Sequence, residues 1–224
     1  MYIVKPSSEI IEIMGAYGDE GVGRDALSLI ERAGRTCYKS EDKITEDSMI
    51  EFVKKLNNLG HESVLEHSAM MVKFICDRGV SHELVRHRMA AYSQESTRYC
   101  NYKGGVTFII PPWVDLIGGE YKIETEFIKS DFDPADYQWL VHMLSSEKAY
   151  TNLIAKGWTP QQARAVLPNS TKTEIIVTAN FREWRHIFKL RCSKAAHPQM
   201  REIMCPLLYD VKRLIPVVFD DITY

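Results

Sequence analysis

The chain has 224 residues, 45% hydrophobic and 26% charged, with a formal net charge of -2. That composition suits one sizeable globular core and excludes a protein that coats nucleic acid through a basic surplus. No apolar run reaches the ~20 residues a membrane span needs. The opening "MYIVKPSSEIIEIMG" lacks the pattern of a signal peptide, and the five scattered cysteines form no C-x-x-C pair. A cytoplasmic protein with reduced thiols and no membrane partner is expected.

In chain order, residues 24–40 place Ala26, Leu27, Ile30 and Ala33 at helical spacing. Residues 45–60 predict a second helix, with Thr45 or Ser48 near its start and Gly60 as its stop. Residues 68–79, "SAMMVKFICDRG", read as a strand, followed by a helix from about Val80 to Arg88. Residues 105–114 are extended and end on paired prolines. Asp133-Pro134 opens a long helix that stops at Gly157, and Thr159-Pro160 opens a short one over "QQARAVLP". Residues 171–180 form a strand, Asn180 caps a helix over 181–193, and a last helix over 198–215 is kinked at Pro206. Strands and helices alternate irregularly and no linker divides the chain. The expectation is an α+β fold, one domain over 1–224 with a mixed or antiparallel sheet flanked by helices.

The densest chemistry lies in "RHRMAAYSQESTRY", residues 86–99. On a regular helix Arg86 and Arg88 point about 200° apart. Arg86, His87 and Arg88 reach one site only if the helix ends there and the chain opens out. Ser96 and Arg98 follow, and arginine's planar fork suits phosphate. The alternative is a solvated helix end whose cations complement the dipole.

Other candidates are weaker. "GHESVLEHS" begins like a zinc helix, but Leu65 stands where the second histidine belongs, and His61 and His67 face opposite ways. Arg191 shares a helical stripe with Trp184, Ile187 and Phe188, where a cation needs a partner: a distant carboxylate or a bound ligand. Arg182 and His186, spaced i, i+4 near the helix start, could face an anion. Arg164, in the last turn before Pro168, reads as structural. There is no P-loop, no G-x-G-x-x-G after a strand, no nucleophile elbow and no well-placed nucleophilic cysteine. An enzyme here would need a cofactor. Two other classes compete: a nucleotide- or RNA-binding module without chemistry, and a metallohydrolase on His61, His67, His82 and His87, which the spacing disfavours.

Arg86-His87-Arg88 followed after seven residues by Ser96, with Arg98-Tyr99, "GHESVLEH", "ARAVLP" and "NFREWRHIFKLR" in the same order, resembles the flavin-dependent thymidylate synthases. The resemblance covers the middle and C-terminal thirds. It implies methylation of dUMP to dTMP with methylenetetrahydrofolate as carbon donor and NADPH as reductant through FAD. It also implies no cysteine nucleophile, no metal, no nucleic acid polymer as partner, and homotetramers of α+β subunits with shared active sites. By position it assigns Ser63, Arg86, His87, Arg88, Gln94, Asn180, Arg182 and His186 to FAD, with Glu66 lining the pocket. It assigns Glu83, Arg86, Gln94, Glu95, Ser96, Thr97, Arg98, Arg164 and Arg191 to dUMP, Ser96 and Arg98 suiting its phosphate. Arg191 is the implied catalytic residue, favouring ionisation of uracil N3. The chain departs from some relatives in Gln94 for Glu, Ser93 for Asn, His186 for Asn and Cys37 for Ser, and "SKAAHPQ" is slightly longer. On this reading 86–88 form the flavin side and 94–98 the nucleotide side, with "MAAYS" turning the chain between them.

Overall fold

The computed structural model describes residues 1–14, 22–122 and 132–224. Its contacts divide the chain into two compact units: Met1–Ser7, Ile75–Leu84 and Ser93–Ile175 form one, and Ser8–Phe74, Val85–Tyr92 and Ile176–Tyr224 form the other. Four of the five boundaries fall inside strands and the fifth at the end of a helix, which is why no linker marks them.

The first unit holds a mixed three-stranded sheet. Strand β1 (Tyr2–Val4) pairs parallel with β5 (Thr107–Ile109) and antiparallel with β6 (Gly119–Glu120). Its core gathers Ile3, Val106, Phe108, Ile110, Leu140, Met143 and Tyr150. The long helix α4 (Pro134–Ala155) begins as expected: Asp133 accepts from the Ala135 N–H at 2.8 Å. Gly157 follows it at φ 89°, the left-handed conformation that favours glycine after a helix. Helix α5 (Pro160–Ala163) is short and runs into a 3-10 turn over Arg164–Val166.

Helix α3 (Arg78–Leu84), also in this unit, starts two residues earlier than its pattern suggests and ends four earlier. At its start the buried Asp77 accepts from the Val80 N–H at 2.7 Å, a side-chain cap. Past its end, Arg86 lies in one turn and Arg88 in the next, with His87 between them, so the chain has opened out where the motif stands.

In the second unit, α1 (Val22–Tyr38) and α2 (Ser48–Asn58) pack together, and Gly60 at φ 71° ends the second. A 3-10 turn covers Glu62–His67. Helices α6 (Phe181–Arg191), α7 (Pro198–Leu214) and α8 (Pro216–Phe219) complete it, α7 running on through Pro206. Phe74, Phe181, Trp184, Phe188 and Phe219 are fully buried, with Trp184 and Phe188 stacked at 5.5 Å. The Trp184 indole N–H donates to the Met70 carbonyl at 2.9 Å, so the ring's polar atom is satisfied.

A four-stranded sheet has the order β2 (Ser7–Ile13), β3 (Ala69–Asp77), β7 (Lys172–Asn180), β4 (Ala90–Gln94). The two inner strands alternate buried and partly exposed residues. Strands β1, β2, β4 and β6 were not anticipated. "MAAYS" in particular is not a connecting turn: Ala90 to Ser93 belong to edge strand β4. Its small residues carry little strand propensity, and pairing with β7 decides its conformation. Among the described residues no helix is long and apolar enough to cross a membrane.

Candidate active site

The second unit carries one cluster around α6. Asn180 caps the helix as expected, accepting from the Glu183 N–H at 2.9 Å. Asn180, Arg182, Glu183, His186 and Lys189 line a cleft of ≈ 470 Å³ together with Glu62, Glu66 and Met89. Arg182 is bound to Glu66 at 2.5 Å, so it enters the cleft as an ion pair rather than a bare cation. Ser63 lies in an adjoining cleft of ≈ 400 Å³ with Cys37, Tyr38, His61 and the same Arg182. There the Tyr38 hydroxyl and His61 Nδ1 are 3.2 Å apart.

The Arg-His-Arg motif splits by burial. His87 is 5% exposed, whereas Arg86 and Arg88 are exposed and make no ion pair among the described residues. The Tyr92 hydroxyl donates to the His87 carbonyl at 2.6 Å, which fixes the turn. Arg191 Nε donates to His87 Nε2 at 2.9 Å. Arg191 thus meets one partner that was not among the expected alternatives, an imidazole. His87 Nδ1 faces Glu183 Oε1 at 3.6 Å, and the His186 ring meets His87 edge-on at 5.7 Å. Burial, then the Arg191 cation, then His186 hold the His87 pKa down at about 4, so the ring is neutral at physiological pH.

His87, Glu183 and His186 place ligand atoms within 4.8 Å of one another, near enough for a metal ion. The hydrogen bonds argue against one. A guanidinium only donates, so His87 Nε2 is already an acceptor and Nδ1 carries the proton. No lone pair is left for a cation, and Arg191 repels it.

The first unit carries the other cluster. Arg164 Nη1 donates to the Thr97 hydroxyl at 3.2 Å, in a cleft of ≈ 240 Å³ also lined by Arg78, His82 and Thr171. Arg164 is thus brought beside Thr97, a neighbour its local sequence does not suggest. Ser96 Oγ accepts from the Arg98 N–H at 3.3 Å, and the Arg98 guanidinium lies 5.3 Å from the Tyr99 ring centre. Gln94 donates to Ser81 at 2.9 Å and to Thr173 at 3.2 Å, which engages its amide nitrogen inside the protein. Glu95 accepts from the Tyr102 hydroxyl at 2.6 Å and stands 3.6 Å from Lys172. Burial and that bond push the Tyr102 phenol up. Glu83 is half-buried in the last turn of α3.

Three residues escaped the sequence reading. Arg78, which donates to Thr173 at 3.1 Å, lines the cleft beside Arg164. Glu183 faces His87. Arg185 is 2% exposed and held by Asp221 at 2.6 and 2.7 Å and by Glu62 at 3.1 Å. Its signal was present, since Phe181, Arg185 and Phe188 share one helical stripe, but its partners are remote in sequence. The buried thiols are poor nucleophiles: desolvation pushes Cys76 up to about 12 and also raises Cys192.

The profile of the Thy1 family, "Thymidylate synthase complementing protein", matches residues 22–217. A flavin-dependent thymidylate synthase of Geobacter sulfurreducens is 35% identical over 205 residues, covering 88% of this chain and 82% of that protein. The chain belongs to the Thy1 family of flavin-dependent thymidylate synthases. These enzymes are methyltransferases. A second Thy1 relative, from Corynebacterium efficiens, is 36% identical over 88% of this chain and 79% of its own. The fold is shared with a UMP/dUMP methylase, PolB of Streptomyces cacaoi, solved with 5-Br dUMP. The TM-score is 0.75 at 22% identity, over 98% of this chain and 96% of that one.

The α6 cluster suits the family's flavin. A dinucleotide cofactor needs a cleft of a few hundred Å³ and cations for its diphosphate. The cleft along α6 has the volume and the cations Arg182 and Lys189, which face Glu66 and Glu62. Arg86 and Arg88 lie outside its lining and make no ion pair among the described residues.

Proposed function

We propose that the whole chain, residues 1–224, acts as a thymidylate synthase that methylates dUMP to dTMP. Methylenetetrahydrofolate supplies the carbon and NADPH the electrons, and the protein works as a homotetramer. The observation that carries this reading is the Arg191–His87 hydrogen bond, which joins the Arg-His-Arg motif to the arginine assigned to the pyrimidine. FAD, when bound and reduced by NADPH, would supply the hydride to the nucleotide.

Arg86, Arg88 and His186 hold the cofactor, with Asn180, Ser63 and the Arg182–Glu66 pair around it. Arg164, with Thr97, Ser96 and Arg98, binds the nucleotide phosphate through charge-assisted hydrogen bonds. Arg191 stabilises negative charge on the uracil, favouring loss of the N3 proton and raising electron density at C5, where the new bond forms. A neutral His87 matters to that role. It orients Arg191 without cancelling its charge, as a carboxylate in its place would.

Purified protein should be yellow, or become so on adding FAD, and the flavin absorbance should bleach with NADPH. It should then form dTMP from dUMP and methylenetetrahydrofolate. Parallel reactions with UMP test the ribose preference, and gel filtration with light scattering tests the tetramer. Protein that takes up no FAD and forms no dTMP contradicts the proposal and favours a binding module.

A further inference from the structure

We infer that Glu183 is a positioning residue for this reaction, acting through His87 to hold Arg191. The inference deepens the proposed function and rests on Arg191 having the role given above.

The geometry runs along one line. Arg191 Nε donates to His87 Nε2 at 2.9 Å, and His87 Nδ1 faces Glu183 Oε1 at 3.6 Å. Because the guanidinium has no acceptor, Nε2 must carry the lone pair and Nδ1 the proton. That tautomer is the one whose N–H points toward a carboxylate. At 3.6 Å the contact is longer than a hydrogen bond, so the Glu183 side-chain oxygen acts as the negative end that the oriented N–H dipole faces, a part an amide oxygen also plays. Glu183 itself is anchored: its backbone N–H is taken by the Asn180 cap, and its side chain is 13% exposed.

Other neighbours oppose or complete the arrangement. His186 meets the ring edge-on and disfavours a charged His87. Tyr92 holds the His87 carbonyl, and Glu183 helps push the Tyr92 phenol up to about 12, after burial. Tyr92 therefore stays a neutral donor. With the backbone held by Tyr92 and one ring nitrogen facing Glu183, the other nitrogen is left to fix the Arg191 guanidinium. Rotation or tautomer exchange of His87 would present an N–H to Arg191 and break the bond.

Glutamine at 183 keeps an oxygen for the Nδ1–H, whereas alanine removes it. In 15N-histidine-labelled, ligand-free protein, His87 should show a protonated Nδ1 and a bare Nε2 in the wild type and in Glu183→Gln. In Glu183→Ala the two tautomers should mix. For the FAD-loaded enzyme, Glu183→Ala should lower kcat on the order of tenfold to a hundredfold, because a misplaced catalytic group costs rate. KM for dUMP should change less than threefold or so, and Glu183→Gln should recover most of the rate. A wild-type His87 protonated on Nε2 overturns the inference whatever the activity. So does Glu183→Ala with an unchanged tautomer and wild-type kcat. If the wild type formed no dTMP, the proposed function would fail separately, since the ligand-free tautomer does not depend on turnover.

Discussion

His87 makes acid stability a direct test of the α6 cluster. Its side chain is neutral in the folded state because burial and Arg191 hold its pKa at about 4, against 6.5 for an ordinary histidine. The unfolded chain therefore takes up a proton that the folded chain refuses as pH falls through 6.5. Stability is lost in that window, and the loss stops only below the folded pKa of about 4. At about 1.4 kcal/mol per pH unit, the whole window amounts to on the order of 3 kcal/mol. Roughly 2 kcal/mol of that falls between about pH 7 and pH 5. His87→Gln preserves an acceptor for Arg191 and removes the titration. Urea unfolding of both proteins at a series of pH values should give a wild-type curve that falls more steeply by that amount. Groups remote from His87 contribute alike to both curves and cancel in the difference. Parallel curves between pH 7 and pH 5 would refute the assignment of His87 as a buried neutral partner of Arg191.

Three further outcomes follow. Asp221→Asn should destabilise the protein by about 1–2 kcal/mol, less than a fully buried pair costs, because Asp221 is half exposed and Glu62 still holds Arg185. Hydrogen bonds from Arg185 hold the Asp221 carboxyl below its ordinary value, so the difference between wild type and variant should be full above about pH 4 and shrink as pH falls through the lowered folded value; thermal unfolding across that range checks it. Gly23→Ala should destabilise by about 1–3 kcal/mol, since the added Cβ would lie 2.4 Å from the Leu214 backbone carbonyl oxygen; a urea midpoint measures it. Arg164→Ala should raise KM for the nucleotide about ten- to hundredfold, the worth of a charged hydrogen bond, and flatten its dependence on salt.

Local signals served the sequence reading well where one residue type has one job. Asp133 before Pro134, Asn180 before Phe181 and Gly157 after α4 all act as caps or stops. The buried stripe of Trp184, Ile187 and Phe188 also follows from helical spacing. Failures came where long-range contacts decide. Helix α3 ends at Leu84 and the motif lies in irregular chain beyond it, where the Tyr92 hydroxyl donates to the His87 carbonyl. Strand β4 exists through pairing rather than propensity. In the candidate site, Arg86, His87, Arg88, Ser96, Arg98, Arg182, His186 and Arg191 stood out by residue type and spacing, the other residues came from the resemblance, and the partners came from neither. That His87 would meet Arg191, or Arg185 meet Asp221, depends on residues tens of positions apart, which no spacing rule reports. Arg164 shows the same limit, because its neighbour Thr97 is 67 residues away.

The most direct measurement is tritium release from 5-tritiated dUMP by the FAD-loaded protein, with NADPH and methylenetetrahydrofolate, in wild type and Arg191→Ala. Release and dTMP formation should both require the folate. In Arg191→Ala they should fall by about 10²-fold or more while the protein keeps its FAD. A wild type that forms no dTMP, or an Arg191→Ala variant that turns over as fast as wild type, would contradict the account.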